Sequence, residues 1–183
     1  MNQCGLYLRS VQPEDIDLLF KWANDGAVRA NGFHTDQIPY EEHRRWFDKM
    51  LKDACQIQYI LMSGDDAVGQ IRLTVEDHCA EVHYSIASEK RNKGYGKTVI
   101  QLVQNEVYSK YPNIQKLIAK VKPTNMASIR CFERNGFSKS CIQYELNKEN
   151  FQVAKASGQL GGNKGGGYSG IGYFPGKACR VAV

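Results

Sequence analysis

Several features are scarce in this sequence of 183 residues, and each scarcity excludes a class of protein. No apolar run approaches the roughly 18 residues of a membrane-spanning helix, so no membrane partner is expected. The six cysteines are scattered without a CxxC pair, and the histidines lack metal-ligand spacing, so we expect neither a metal nor a disulfide framework. Residues 1–9 lack the apolar stretch of a signal peptide, which favours a cytoplasmic protein.

Acidic residues are absent from the end of the chain, over residues 152–183. Four basic residues in this segment account for +4 of the formal net charge of +5, which leaves about +1 for the rest. A nearly neutral body argues against a surface that binds nucleic acid. The segment also has nine glycines in 32 residues. We therefore predict one domain over residues 1–151, followed by a Gly-rich basic tail, flexible or non-native, over residues 152–183.

A glycine-bearing turn stands between a strand-like run, residues 82–86, and a helix-like run, residues 98–108. Its sequence is Arg91-Asn92-Lys93-Gly94-Tyr95-Gly96-Lys97. Backbone N–H groups at such a turn are unpaired and, together with the helix dipole, they favour an anionic phosphate. The two glycines let the backbone approach a ligand, and the basic side chains supply positive charge.

Two common nucleotide-binding motifs fail at this turn. A nucleotide-hydrolysing P-loop needs a glycine five positions before Gly96, where Arg91 stands. The dinucleotide-binding fingerprint needs its third glycine at position 99, which is Val99. The remaining pattern, Arg-x-x-Gly-x-Gly, is by itself as typical of a plain turn as of a phosphate site.

The hydrophobic periodicity predicts a strand, two helices, a three-stranded meander, the turn with its helix, then strand, helix and strand. Pro13 and Pro39 begin the first two helices. We expect a polar loop over residues 28–38, a strand over residues 114–121, a short helix from about Asn125 to Gly136, and a last strand over residues 137–146.

This order of elements resembles the GNAT superfamily of acetyl-CoA-dependent N-acetyltransferases across residues 6–146. The turn is similar to the pyrophosphate loop of that family, and Asn125 to Phe137 is similar to its Asn-x-x-Ala/Ser helix ending in Gly-Phe. Residues 8–9, 22–25 and 80–84 look like the branch that contains ribosomal-protein N-terminal and amino-sugar acetyltransferases. The resemblance implies an α/β (α+β) fold whose mixed sheet has about six to seven strands, with helices on both faces.

The resemblance also implies acetyl-CoA as co-substrate and direct attack by a primary amine in a ternary complex, without an acyl-enzyme. The implied acetyl-CoA-binding residues are Ile86, Arg91, Asn92, Lys93, Gly94, Tyr95, Gly96, Lys97, Asn125 and Ser128. Asn125 is alternatively a simple helix N-cap. Arg130 and Arg134 either reach the 3′-phosphate of CoA or form an exposed charged face.

Strand alternation places polar side chains on one face of two neighbouring strands and predicts the wall of a wet cleft. These side chains are Gln70, Arg72 and Thr74 on one strand, and Glu81, His83 and Ser85 on the other. Glu81 or His83 is the predicted catalytic base, acting directly or through a water. Alternatively, Glu81 pairs with Arg72 across the strands and His83 is only solvated. A further alternative has Arg72 bind an acidic group of the substrate.

The general acid is unassigned, because Phe132 occupies the position where many family members have a tyrosine. Water, Ser128 or Tyr84 are the remaining sources of the proton for the leaving thiolate.

On the acceptor side, the loop of residues 28–38 is polar and contains Phe33 and His34, which we predict to bind substrate. This composition suits a nucleotide-linked amino sugar and also accommodates a peptide N-terminus. The alternative to an enzyme is a non-catalytic CoA-binding module. The sequence leaves open whether the protein is a monomer or a homodimer.

Overall fold

The computed structural model describes residues 5–140, which contain five β-strands and five α-helices. The strands are β1 (Leu6–Ser10), β2 (Gln56–Ser63), β3 (Asp66–Glu76), β4 (Cys79–Ile86) and β5 (Lys116–Ile118). The helices are α1 (Ile16–Ala23), α2 (Gly26–Asn31), α3 (Tyr40–Met50), α4 (Tyr95–Lys110) and α5 (Met126–Glu133).

The strands form one mixed sheet in the order β1-β2-β3-β4-β5. The first four strands are antiparallel neighbours, and β5 joins β4 in parallel after the crossover through α4. The mixed α/β architecture confirms the predicted fold class. The predicted count of six to seven strands exceeds the five in the described part. Residues 137–140 have no regular structure, whereas residues 141–146 and the predicted boundary at residue 151 lie outside the described residues.

Strand alternation sends apolar side chains to both faces of the sheet, and helices cover both. Leu61 and the residues of β2 that share its face point toward α4. Helix α4 buries Val99, Ile100, Val103 and Val107 against them. Ile60 and Met62 face the other way and pack against α1 and α3. Burial of each large apolar side chain contributes about 1.5–3 kcal/mol. These two cores hold β4 and the start of α4 in fixed relation to the rest of the domain.

The predicted polar loop of residues 28–38 is wrong in its first part, because α2 lies there. The Asp25 side chain accepts hydrogen bonds from the N–H groups of Ala27 (3.1 Å) and Val28 (3.0 Å), which caps the helix. The helix has six residues and none is buried, so the sequence has no apolar period to reveal it. Downstream, Asn24 exchanges two hydrogen bonds with the backbone of Ile38, which ties the two ends of this segment together.

The predicted strand over residues 114–121 is also shorter than expected, since β5 covers only three residues. None of the helices within residues 5–140 has both the length and the apolar character needed to cross a bilayer.

Candidate active site

A slot opens between β4 and the chain that follows β5. The two strands pair only where Cys79–Glu81 meets Lys116–Ile118, whereas β4 stays paired with β3 as far as Ile86. The N–H of Ala87 bonds to Val68 on β3 at 3.0 Å, so alternation directs the backbone groups of residues 82, 84 and 86 away from β3. A ligand with amide groups can therefore pair with this edge of β4, which we call the β4–β5 slot.

The glycine turn lies at one end of the slot and begins α4. Gly94 is the N-cap residue with φ of 86°, and no side chain caps the helix. The N–H groups of Lys97 and Thr98 bond to the Gly94 carbonyl, so those of Tyr95 and Gly96 are left to face a ligand. A 16-residue helix adds its dipole to these donors. These features suit an anion, whose binding at the turn stays a prediction, and Lys93 and Lys97 are exposed beside it.

The two glycines of the turn have different roles. A Cβ added at Gly94 meets nothing within 4 Å, so this position is open to a ligand. A Cβ added at Gly96 would lie 3.2 Å from Cys131 Sγ and 3.3 Å from Tyr84 Cε2. Gly96 is therefore needed for close packing of α4 on β4 and α5. The predicted approach of a ligand to both glycines stays a prediction, and the structure adds a packing role for Gly96.

Arg91 points back toward the protein body. Its Nε donates to the carbonyl of Ile86 at 3.1 Å, and its terminal nitrogen pairs with the Asp25 carboxylate that caps α2. These bonds link the turn to β4 and to α2, beside a cavity of about 180 Å³. Contact between Arg91 and a phosphate remains a prediction.

Helix α5 forms the other side of the slot. The Asn125 side chain accepts from the N–H of Ser128 at 3.2 Å, so the N-cap role predicted as an alternative is present. Asn135, which the sequence interpretation did not single out, donates to the carbonyl of Lys97 at 3.2 Å and fixes the end of α5 to the start of α4. The Asn135-Gly136 pair, typical of a helix end, was the available signal.

A tyrosine hydroxyl bridges β4 and α5. Tyr84 donates to Ser128 Oγ at 3.1 Å and packs edge-on against Phe132 with ring centroids 5.6 Å apart. Burial raises the pKa of Tyr84, so its hydroxyl stays protonated at neutral pH. Phe132 is buried in the core and has no proton to give. Tyr84 is thus a phenol that bridges β4 and α5 beside the slot.

On the opposite face of β4, Glu81 lies in a cluster of ionisable groups. Lys120 Nζ, from the segment after β5, donates to Glu81 Oε2 at 2.9 Å, and His83 Nε2 lies 3.4 Å from Oε1. Within residues 5–140 no hydrogen bond or ion pair joins Glu81 to Arg72, although the charge of Glu81 acts on Arg72 at longer range. Although 46% of its side chain is exposed, desolvation against the sheet and the positive charge of Arg72 lower the pKa of His83 to about 4, so its ring is neutral at pH 7.

We expect this low pKa to make folding stability depend on pH. The ordinary pKa of histidine is 6.5, so between pH 6.5 and about 4 the unfolded chain binds a proton at His83 that the folded protein does not. The stabilisation is complete above pH 6.5 and is lost as the pH falls toward 4. In urea unfolding, H83Q should weaken this loss of the free energy of unfolding. Parallel pH curves for wild type and H83Q would contradict the assignment.

The cleft wall that the sequence predicts to be polar and solvated is only partly solvated. Gln70 donates to Ser85 Oγ at 3.2 Å and accepts from Gln58, and both Ser85 and Gln58 are buried. Of the side chains in the predicted cleft wall, those of Arg72, Thr74 and His83 remain beside Glu81. Phe33, with 62% of its surface exposed, and His34 lie on the segment after α2. No contact within residues 5–140 joins either of them to Glu81 or Arg72.

The described residues contain no group of three or more His, Cys, Asp or Glu side chains placed to hold a metal ion.

Known proteins share this architecture and sequence pattern. The sequence model of the acetyltransferase (GNAT) domain family matches residues 5–138, which is more than half of the chain. Acetyltransferase PseH from Campylobacter jejuni is 25% identical over 130 residues, which cover 68% of this chain and 78% of PseH.

Solved structures with the same fold include two acetyltransferases that hold coenzyme A. Spermidine N-acetyltransferase from Vibrio cholerae, in complex with CoA and spermine, has a TM-score of 0.69 and 19% identity over 74% of this chain and 82% of that chain. Aminoglycoside acetyltransferase AAC(6′)-Ib, in complex with coenzyme A, has a TM-score of 0.67 and 15% identity over 82% of this chain and 99% of that chain. At these identities the likeness concerns the fold. Together with the matched family model, it confirms the resemblance, and the chain belongs to the GNAT family of acetyltransferases.

Proposed function

We propose that this acetyltransferase moves the acetyl group of acetyl-CoA to the primary amine of a nucleotide-linked amino sugar, in a ternary complex. The observation that carries the proposal is the continuity of three features. An anion site at the start of α4 leads into the β4–β5 slot, and the slot ends where Glu81 pairs with Ile118. A donor that has a pyrophosphate, an arm with amide groups and a thioester matches these features in order.

The donor binds through backbone groups in this proposal. The N–H groups of Tyr95 and Gly96 bind the pyrophosphate, and the exposed Lys93 and Lys97 add charge. The amides of the pantetheine arm pair with the free edge of β4 at residues 82–86. Binding through the backbone positions the thioester without a covalent intermediate.

The reaction is then a direct displacement. The amine nitrogen forms a bond to the thioester carbonyl carbon, and the carbon–sulfur bond breaks. Glu81 takes the proton lost by the amine, directly or through one water, and Tyr84 gives its proton to the departing thiolate. Glu81 and Tyr84 lie on opposite faces of β4. The base therefore reaches the attacking amine from one side, and the acid reaches the departing sulfur from the other. His83 and Lys120 hold the carboxylate of Glu81 in place.

The acceptor assignment rests on the segment after α2. Phe33 is an exposed ring on which a nucleobase can stack, and the surrounding side chains are polar. Aminoglycosides, the ligands named for AAC(6′)-Ib structures with the same fold, are themselves amino sugars. A peptide N-terminus is the second acceptor class that such a polar segment accommodates.

An amine panel tests the proposal. Acetyl-CoA is mixed with a nucleotide-linked amino sugar, a peptide with a free N-terminus, spermidine or kanamycin, and both thiol release and the mass of the product are followed. The proposal expects the highest kcat/KM with the nucleotide-linked amino sugar. A preference for the peptide would establish the alternative acceptor. If acetyl-CoA stabilised the protein but released no thiol with any amine, the protein would be a non-catalytic CoA-binding module.

Replacement of Tyr84 tests the proton donor. We expect Y84F to lower kcat by about 10- to 100-fold, within the usual range for a general acid, while KM for acetyl-CoA changes little. The removed hydroxyl faces Ser128, so the edge-on packing against Phe132 should persist. Steady-state kinetics with S128A as a second variant separate the two hydroxyls. Unchanged kcat in Y84F, with loss in S128A, would transfer the role to Ser128.

A further inference from the structure

Arg72 is a cation with one buried hydrogen-bond donor that lacks a partner among residues 5–140. It lies on β3, opposite Gln58 on β2 and His83 on β4. Its guanidinium carbon lies 5.2 Å from the centre of the Trp46 ring, so an aromatic face from α3 supports it. Its Nε is buried without a hydrogen-bond partner among residues 5–140.

This arrangement is costly unless an anion completes it. Of the five N–H donors of a guanidinium, the one on Nε is buried here without a partner, which costs the desolvation that water would otherwise repay. Burial accordingly lowers the pKa of Arg72. The nearest carboxylate, on Glu81, is already bonded to Lys120 and lies against His83. Gln58 Oε1, opposite on β2, is itself buried without a partner and does not accept from this Nε, so the missing partner is expected from outside residues 5–140.

We propose that Arg72, supported by Trp46, binds an anionic group of the acceptor, a phosphate or a carboxylate, and so presents the acceptor's amine to Glu81. This inference rests on the proposed function and specifies the charge of its substrate. Arg72 faces His83 across the strands and Thr74 faces Glu81, so Arg72 and Glu81 are diagonal neighbours, about 7–8 Å apart at the backbone. The anionic group and the amine of the acceptor must therefore be close enough to belong to one small molecule.

The charges around the site distinguish this acceptor from a polycation. Arg72 and Lys120 are positive, Glu81 is negative, and His83 is neutral at pH 7. A polyamine or an aminoglycoside carries several positive charges and no anion for Arg72 to bind, so its amines would be repelled by the guanidinium. Such ligands occupy structures with the same fold, with spermine in one and kanamycin in another. This chain is expected to use both poorly.

Kinetics with paired acceptors test the inference. Each pair consists of an amine with a phosphate or carboxylate and the same amine with that group removed or esterified. We expect wild type to prefer the anionic member, and R72Q to raise KM for that member by about 10- to 100-fold, as for loss of a charged hydrogen bond. KM for the neutral member and for acetyl-CoA should not change. R72K should recover part of the preference, and R44Q, on an exposed arginine of α3, is the matched control.

The relative KM values of phosphate and carboxylate acceptors show which anion fits. Equal use of both members of each pair by wild type, or equal KM values in wild type and R72Q, would overturn the inference while the acetyltransferase activity stands.

A binding measurement keeps the inference testable without an active acceptor. With CoA at saturation, so that the glycine turn is occupied, inorganic phosphate or acetate is titrated and the melting temperature is followed. Stabilisation of wild type and R44Q by either anion, absent in R72Q, supports the site. The same stabilisation in R72Q, or none in wild type, counts against it. If thiol release fails with every amine but the anion effect requires Arg72, the proposed function fails and the anion site remains.

Discussion

Replacing Gly94 with aspartate is expected to raise KM for acetyl-CoA by about 100-fold and to leave kcat nearly unchanged. The new carboxylate would lie beside the N–H groups of Tyr95 and Gly96, where it repels the pyrophosphate and competes for its donors. A steric clash is not the expected cause of the higher KM, because a Cβ at this position meets nothing within 4 Å. Initial-rate kinetics with varied acetyl-CoA measure it.

The matched control is Gly94→Asn. Asparagine tolerates the left-handed backbone at φ of 86° about as well as aspartate, and it has nearly the same shape without the charge. We expect G94N to raise KM only slightly, so that the difference between the two variants reports the charge. G96D should also raise KM, but it forces Tyr84 and Cys131 apart and is a less clean probe. Equal KM values for wild type and G94D would show that the pyrophosphate binds elsewhere.

Replacing Glu81 with glutamine is expected to lower kcat at neutral pH by about 100- to 1,000-fold, within the range for a general base. KM for acetyl-CoA should be unchanged, since Glu81 lies at the far end of the β4–β5 slot from the glycine turn. Part of the loss should be recovered as the pH approaches the pKa of the acceptor amine, because a neutral amine needs no base before it attacks.

The pH profile of kcat decides between the two predicted bases. E41Q, at an exposed glutamate of α3, is the matched control for loss of a surface carboxylate. If E81Q and wild type have the same kcat at every pH, Glu81 is not the base and the role passes to His83. In that case H83Q should show the loss instead.

The sequence predicted those features that depend on local periodicity and on adjacent motifs. The alternation in β3 and β4 correctly separated Val82 and Tyr84 from Glu81 and His83. The glycine turn and the helix after Asn125 also lie where their motifs indicated. Each of these signals is contained in a short window of sequence.

Contacts between distant parts of the chain escaped prediction. Lys120 bonds to Glu81 across 39 positions, and Arg91 pairs with Asp25 across 66. Both pairs depend on how elements pack, and no local pattern distinguishes these charges from ordinary surface residues. The packing role of Gly96 escaped prediction for the same reason, because its neighbours Tyr84 and Cys131 come from β4 and from α5. Helix α2 was missed because it buries none of its six residues.

A crystal structure with acetyl-CoA tests the central claim most directly. We expect pyrophosphate oxygens within hydrogen-bond distance of the N–H groups of Tyr95 and Gly96. We also expect the pantetheine amides along residues 82–86 and the thioester between Glu81 and Tyr84. Acetyl-CoA bound elsewhere would contradict it, as in the cavity of about 300 Å³ between Met50 and Tyr111.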